Sequence, residues 1–219
     1  MGKRFSVDND DIPEVEKPVK LISITPDSEK LVAYCARVSS NQQDNPSISK
    51  LLRYCIKHKH WSPFEMVNIC LEIKTTRDIA RQILRHRSFS FQEFSQRYAV
   101  AQDFTLREAR MQDNKNRQNS IENADMDLQK TWERKQQGVI DEAKLAYQWA
   151  LDKGIAKEQA RAVLPEGNTM STLYVNGTLR SWIHYIELRK DASTQKEHRV
   201  VAEKCLEQIV RIVPLLQDN

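Results

Sequence analysis

The chain has 219 residues, of which 40% are hydrophobic and 29% charged, and a net charge of +4. That balance describes a globular chain long enough to bury one core, and no apolar run approaches the length needed to cross a bilayer. The charge is too mild to choose between a small anionic ligand and nucleic acid, and no secretory signal is visible at the start.

Residues 1–17 read as a loose polar arm and residues 18–219 as a single domain. Val19 to Thr25 alternates in part and predicts a first strand. Pro26-Asp27-Ser28 then opens a helix through Leu31, Val32, Cys35 and Ala36. After a polar loop, 41–46, a second helix begins near Ser49, carries Leu51, Leu52, Cys55 and Ile56, and ends near Lys59-His60. Met66 to Lys74 is the best strand, with Val67, Ile69, Leu71 and Ile73 on one face. Thr76 to Leu84 returns to helical spacing through Ile79, Ala80, Ile83 and Leu84.

Arg107 to Ser120 is polar with little periodicity. Ile121 to Lys153 is mostly helical, with Ala143, Tyr147 and Ala150 on one stripe. A short helix covers Lys157 to Val163, a strand Met170 to Asn176, a helix Thr178 to Leu188, and a last amphipathic helix Thr194 to Val213. The fold class is α+β: a helix-rich single domain around a small, mainly antiparallel sheet.

Cys35, Cys55, Cys70 and Cys205 are the only cysteines and include no Cys-x-x-Cys pair. This argues against a zinc site or a disulfide framework and fits a reducing cytoplasm. Each reads as a small core residue, not a nucleophile, and no metal site is expected. The five glycines lie too far apart for a dinucleotide fingerprint or a P-loop. A nucleotide would have to be held by arginines and helix ends.

Chemistry concentrates between Arg85 and Tyr98: Arg85-His86-Arg87-Ser88-Phe89-Ser90-Phe91-Gln92-Glu93-Phe94-Ser95-Gln96-Arg97-Tyr98. Folding alone does not require such a density of guanidinium groups, whereas bidentate recognition of phosphate or a carbonyl edge does. Arg77, Arg81 and Arg85 recur every four residues as one stripe. Arg77 reads as part of a solvated face beside Asp78, and Arg85 as a ligand contact where the stripe meets the His86-Arg87 turn. Beyond it, Glu93, Ser95 and Arg97 alternate, which in an extended segment projects acceptor, hydroxyl and fork donor to one side. A nucleotide would use all three; the competing structural reading is a buried salt-bridge cluster.

In Thr178 to Arg189, Leu179, Trp182, Ile183, Tyr185 and Ile186 make the apolar face, and Arg180, His184 and Glu187 the polar one. Arg189 falls on the apolar side. There it needs a partner, a ligand being one option, or it reaches outward past the helix end. His60-Trp61-Ser62-Pro63-Phe64-Glu65 is weak alone, because a His before a Pro turn is usually a surface or capping residue.

Together these segments resemble the flavin-dependent thymidylate synthases. The resemblance runs in order through Ala36-Arg37-Val38-Ser39, the His60 segment, Ala80-Arg81-Gln82, Arg-His-Arg with its later Ser95, Arg161 to Pro165, Arg180 to Arg189, and Gln195-x-Glu197. It implies a homotetramer that binds FAD between subunits and methylates dUMP to dTMP. The co-substrate would be 5,10-methylenetetrahydrofolate, with NADPH as the nicotinamide reductant. By position, FAD would be held by Ser39, Ser62, Arg85, His86, Arg87, Gln92, Glu93, Arg180 and His184. The dUMP ligands would be Gln82, Arg85, Glu93, Ser95, Arg97, Arg161 and Arg189. Arg189 would polarise the uracil ring, and His60 would act near folate and flavin. Met66 stands where the family often has a second His, Gln92 where Asn is common, and Thr178 and Ser193 where other polar residues often touch flavin. The other class weighed is a basic nucleic-acid-binding protein without activity, using the Arg run and Lys115 to Arg117. A metal-dependent hydrolase is weaker still, since His58 and His60 lack a His-Glu-x-x-His partner.

Overall fold

The computed structural model describes residues 18–101 and 103–218; the expected arm, 1–17, lies outside them. At its centre is a four-stranded sheet in the order β1-β2-β6-β3, with every neighbouring pair antiparallel. The strands are β1 (Val19–Ile24), β2 (Asn68–Thr76), β3 (Phe89–Glu93) and β6 (Met170–Thr178). The helices are α1 (Ser28–Ala36), α2 (Ser49–Lys57), α3 (Arg77–Ile83), α4 (Met126–Asp152), α5 (Lys157–Ala160), α6 (Leu179–Arg189) and α7 (Lys196–Val210). A small hairpin of β4 (Met111–Gln112) and β5 (Ser120–Ile121) precedes α4.

The period-two pattern of β2 decides which face of the sheet is covered. Val67 leads in from the preceding turn, and with it Ile69, Leu71 and Ile73 are fully buried, whereas Asn68 and Lys74 are exposed. Leu173 and Val175 of β6 continue the apolar face. Helices α6 and α7 join that core through Leu179, Trp182, Ile183 and Ile186, and through Val201, Ala202, Cys205 and Ile209. The Trp182 indole N–H donates to the Ile69 carbonyl at 3.1 Å, so the largest buried side chain leaves no polar atom unpaired.

Two junctions position the site. β2 passes into α3 at Thr76/Arg77 and β6 into α6 at Thr178/Leu179, with no intervening loop. The Thr178 hydroxyl accepts the Ser181 N–H at 3.2 Å, capping α6. Gly177 lies opposite Phe89 in the ladder, and a Cβ there would meet Phe89 Cδ1 at 2.3 Å. Only glycine lets that ring lie flat against the strand.

Several expectations are corrected. The segment Phe89–Glu93, to which the sequence pattern assigned no element, is an edge strand, because pairing with β6 supplies order that its short mixed pattern does not signal. The long helix begins at Met126, not Ile121; Asp125 accepts the N–H groups of Asp127 and Leu128 and fixes the start. Ile121, expected to open that helix, instead lies in β5 with Ser120, the last residue of the segment that lacked periodicity. The last helix stops at Val210 and a separate 3-10 turn, Pro214–Asp218, follows.

Candidate active site

The turn after α3 sorts the Arg-His-Arg run by direction. Arg85 N–H bonds to the Gln82 carbonyl and His86 N–H to the Ile83 carbonyl, tightening the helix end. This leaves Arg85 and Arg87 exposed while the His86 ring turns inward, 4.9 Å from Tyr185 and edge-on to it. Arg189, the last residue of α6, donates from Nε to His86 Nε2 at 2.9 Å. The guanidinium that the helical wheel left facing apolar neighbours thus finds a neutral imidazole as its partner. Burial, and then the Arg189 charge, lower the His86 pKa from 6.5 to about 4.

Deeper in, His198 of α7 is fully buried and bridges Tyr185 and Gln82. Its pKa falls to about 3, through burial first, then the charge of Arg189 and, once protonated, that of His86. Gln82 continues to Gln195 at 2.8 Å, and Gln195 to Glu197 at 3.0 Å. Burial alone would raise the Glu197 pKa. The hydrogen bond from Arg110, the residue's own backbone N–H, Arg107 and Gln195 together hold it at about 2. Arg107 is fixed in turn: its guanidinium reaches Asp78 at 2.7 Å and the Gly167 carbonyl at 3.1 Å. Its backbone N–H and C=O both bond the buried Gln136 amide of α4.

On the other side of α3, Arg77 is buried and pairs with Glu93 at 3.4 Å and Glu166 at 3.7 Å. This corrects the expectation of a solvated Arg77. The strand β3 ends at Glu93 and carries its carboxylate against the helix, where Ser171 Oγ also donates to it at 2.9 Å. Arg81 remains exposed and takes the second Glu166 oxygen at 2.9 Å. Glu93, Ser95 and Arg97 do not share one extended face, because the backbone turns at Ser95–Tyr98, where Tyr98 N–H bonds the Ser95 carbonyl. Ser95 Oγ accepts the Arg97 N–H. The Arg97 side chain meets the Glu158 carboxylate at 3.2 Å, and Arg161 Nε the Glu158 carbonyl at 3.3 Å, so these two arginines converge on one residue.

His60, Ser62, Arg180 and His184 lie at the end of the sheet where the 3-10 turn Ser62–Met66 packs on α6, whereas Gln92 sits three rungs along β3, opposite Tyr174. Arg180 pairs with Glu65, and the His184 ring meets Trp61 edge-on at 4.8 Å. His60 is exposed beside Tyr54 and His58, its ring 5.7 Å and 6.1 Å from theirs. Ser39, Ser62 and Gln92 are exposed.

A family model described as "Thymidylate synthase complementing protein" matches residues 20–215. The chain belongs to the flavin-dependent thymidylate synthase family. A family member of that name from Synechocystis is 56% identical over 174 residues, covering 80% of each chain. A "Probable flavin-dependent thymidylate synthase" of Paramecium bursaria Chlorella virus 1 is 50% identical over 205 residues, 89% of this chain and 94% of that one. Among solved structures, a UMP/dUMP methylase PolB from Streptomyces cacaoi, bound with 5-Br dUMP, superposes with a TM-score of 0.82. It is 28% identical, and the match covers 91% of this chain and 92% of that one.

Sequence reading alone missed Tyr185, His198 and the Arg107–Glu197–Arg110 cluster as parts of the site. Tyr185 was legible only as apolar. His198 carried a signal that went unread: with Val201, Ala202, Cys205 and Ile209 it shares the buried face of α7, and an imidazole there needs partners.

Proposed function

We propose that this protein is a flavin-dependent thymidylate synthase that methylates dUMP to dTMP reductively, with 5,10-methylenetetrahydrofolate as carbon donor and NADPH as reductant. The observation that carries the reading is the turn after α3, which aims Arg85 and Arg87 outward and seats His86 on Arg189. Among the described residues, Arg85 and Arg87 have no carboxylate partner. Two unpaired guanidinium forks suit a diphosphate, so the donor set fits FAD, with the Ser39 and Ser62 hydroxyls, Gln92, Glu93, Arg180 and His184 as further ligands. FAD, when bound, supplies the redox chemistry.

The chain's own groups bind and orient. Arg97 and Arg161 hold the dUMP phosphate; an ion pair as exposed as Arg97–Glu158 is worth at most about 1 kcal/mol and yields readily to a dianion. Ser95, Gln82 and the Glu93 oxygen not engaged by Arg77 and Ser171 take the remaining polar atoms, with Arg85 alongside. Arg189 supplies fixed positive charge to the pyrimidine. Its Nε is occupied by His86, so its terminal nitrogens face the substrate, and His86 stays neutral near pH 7 and does not repel it. His60, exposed next to the Trp61 that packs on His184, serves near the folate and the flavin. No thiol is used: burial raises the pKa of Cys55, Cys70 and Cys205, which disfavours a thiolate nucleophile.

The catalytic domain is 18–219, and the working form is a homotetramer with flavin between subunits. In support, α4 exposes Trp132, Val139 and Trp149 at 43%, 57% and 59%, more apolar surface than a monomer helix ordinarily leaves bare. Free thiols at all four cysteines suit a cytoplasmic location, and among the described residues no helix is long and apolar enough to cross a membrane. No observation favours the nucleic-acid-binding alternative.

The test is the absorbance of the purified protein together with dTMP formation from dUMP. A yellow protein is expected, losing flavin on His86→Ala/Arg87→Ala with its circular dichroism unchanged. Arg189→Ala is expected to abolish turnover with FAD retained. A colourless protein that FAD cannot reconstitute overturns the assignment.

A further inference from the structure

The side chains between α3, α6 and α7 form a row of hydrogen bonds whose direction follows from one end. Glu197 is gripped by Arg110 Nη2 at 2.5 Å and Arg107 Nη1 at 3.2 Å, and a carboxylate only accepts. Gln195 must therefore turn Nε2 toward Glu197 Oε2 and Oε1 toward Gln82. Gln82 answers with Nε2 at 2.8 Å, which leaves its Oε1 facing His198 Nδ1 at 3.1 Å. An oxygen acceptor opposite Nδ1 requires the proton on Nδ1. Nε2 of the same ring is then the acceptor, and the Tyr185 O–H, 3.1 Å away, donates to it. Each orientation is set by its neighbour, as amide ends and imidazole tautomers must be.

We propose that His198 is a positioning residue for the pyrimidine nucleotide, holding through Nδ1–H the carbonyl end of the Gln82 amide in the orientation that Gln195 sets at its other end. This rests on the reading that Gln82 binds dUMP. An amide has two N–H groups and two carbonyl lone pairs; Gln195 and His198 use one of each, leaving one donor and one acceptor for the substrate at ends that cannot exchange. Without His198 the Gln82 N–H stays on Gln195, but its carbonyl loses the donor that anchors it, and the soft terminal torsion lets the substrate-facing donor and acceptor drift. The row is sealed at this point, since His198 is fully buried and Tyr185 nearly so. Burial keeps the Tyr185 hydroxyl protonated and able to donate.

The test has two arms, both on the FAD-loaded protein. Long-range proton–nitrogen correlation spectra of histidine-labelled protein, assigned by the signal lost in His198→Asn, read the tautomer without substrate. The Nδ1–H form is expected, and the Nε2–H form overturns the row. Steady-state kinetics then compare His198→Phe, His198→Asn and Gln82→Ala. His198→Phe removes the donor and should raise KM for dUMP about tenfold, the worth of one oriented hydrogen bond, with flavin binding and circular dichroism retained. Asn returns an amide N–H near the Nδ1 position, and His198→Asn should recover most of the loss. Gln82→Ala raising KM while His198→Phe leaves it within twofold overturns the positioning role alone. Gln82→Ala leaving KM unchanged overturns the assignment of Gln82 to dUMP, and the proposal with it.

Discussion

Replacing His198 by Asn should make the protein less sensitive to acid, by an amount the structure fixes. In the folded chain the His198 pKa is lowered from 6.5 to about 3, because the ring is buried and faces the cations of Arg189 and, once protonated, His86. In the unfolded chain it keeps its ordinary value. Below about pH 6.5 the unfolded state therefore takes up a proton that the folded state refuses, and stability falls with pH by about 1.4 kcal/mol per unit for this one group. From about pH 6.5 to about pH 4.5 the loss is about 3 kcal/mol, a large share of a domain's net stability. Glu197 carries the opposite kind of shift: its depressed pKa contributes stability above 4.5 that is lost only as pH falls toward about 2. It therefore stays out of this window. His86 adds a slope of its own down to about 4, but does so in both proteins and cancels from their difference. Urea unfolding across the window, at one protein concentration and saturating FAD, gives the comparison. His198→Asn should start below wild type near neutrality and gain on it by about 1.4 kcal/mol for each unit of acidification. Parallel curves for the two proteins would refute the reasoning, because they would mean that the folded ring accepts the proton as easily as the unfolded one.

Gly177→Ala should destabilise by about 1–3 kcal/mol through overpacking, since the new Cβ falls 2.3 Å and 2.6 Å from two atoms of the buried Phe89 ring; thermal unfolding measures it, and an unchanged Tm contradicts the packing. A variant with Cys35, Cys55, Cys70 and Cys205 all changed to Ser or Ala should keep substantial dTMP formation, with losses traceable to packing at Cys55 and Cys205. A covalent adduct between dUMP and any one cysteine, seen by mass spectrometry, would contradict this. Trp149→Asp on the exposed side of α4 should shift sedimentation toward smaller species while leaving the helical circular dichroism in place; an unchanged sedimentation coefficient takes that surface out of the assembly.

Strong periodicity made much of this fold readable. The alternation through Ile69, Leu71 and Ile73, and the five apolar residues of Leu179 to Ile186, all lie where the pattern predicts. The edge strand β3 did not announce itself, because Phe89–Glu93 is held by the β6 ladder and by the space that Gly177 leaves. Neither lies within the segment itself. The same limit applied to the site. Arg85, His86 and Arg87 marked a ligand surface by their density, but that Arg77 is buried depends on Glu93 and Glu166, 16 and 89 positions away. Reading Glu93, Ser95 and Arg97 as one face assumed extended backbone that the Ser95–Tyr98 turn does not provide. His198 was hidden because a single histidine in an apolar stripe gives no hint of which side chains complete its bonds.

The absence of any loop at Thr76/Arg77 and Thr178/Leu179 leaves α3 and α6 without mechanical slack. A single residue inserted at either junction would rotate the helix by about 100° about its axis. On α3 such a rotation would swing Gln82 away from His198 and carry Arg81 toward the interior; on α6 it would lift Arg189 off His86. The sheet acts as a jig, so the angular setting of the site is inherited directly from strand register. Length variation can be absorbed instead in the exposed 113–119 turn between β4 and β5, where added residues leave both helix settings untouched.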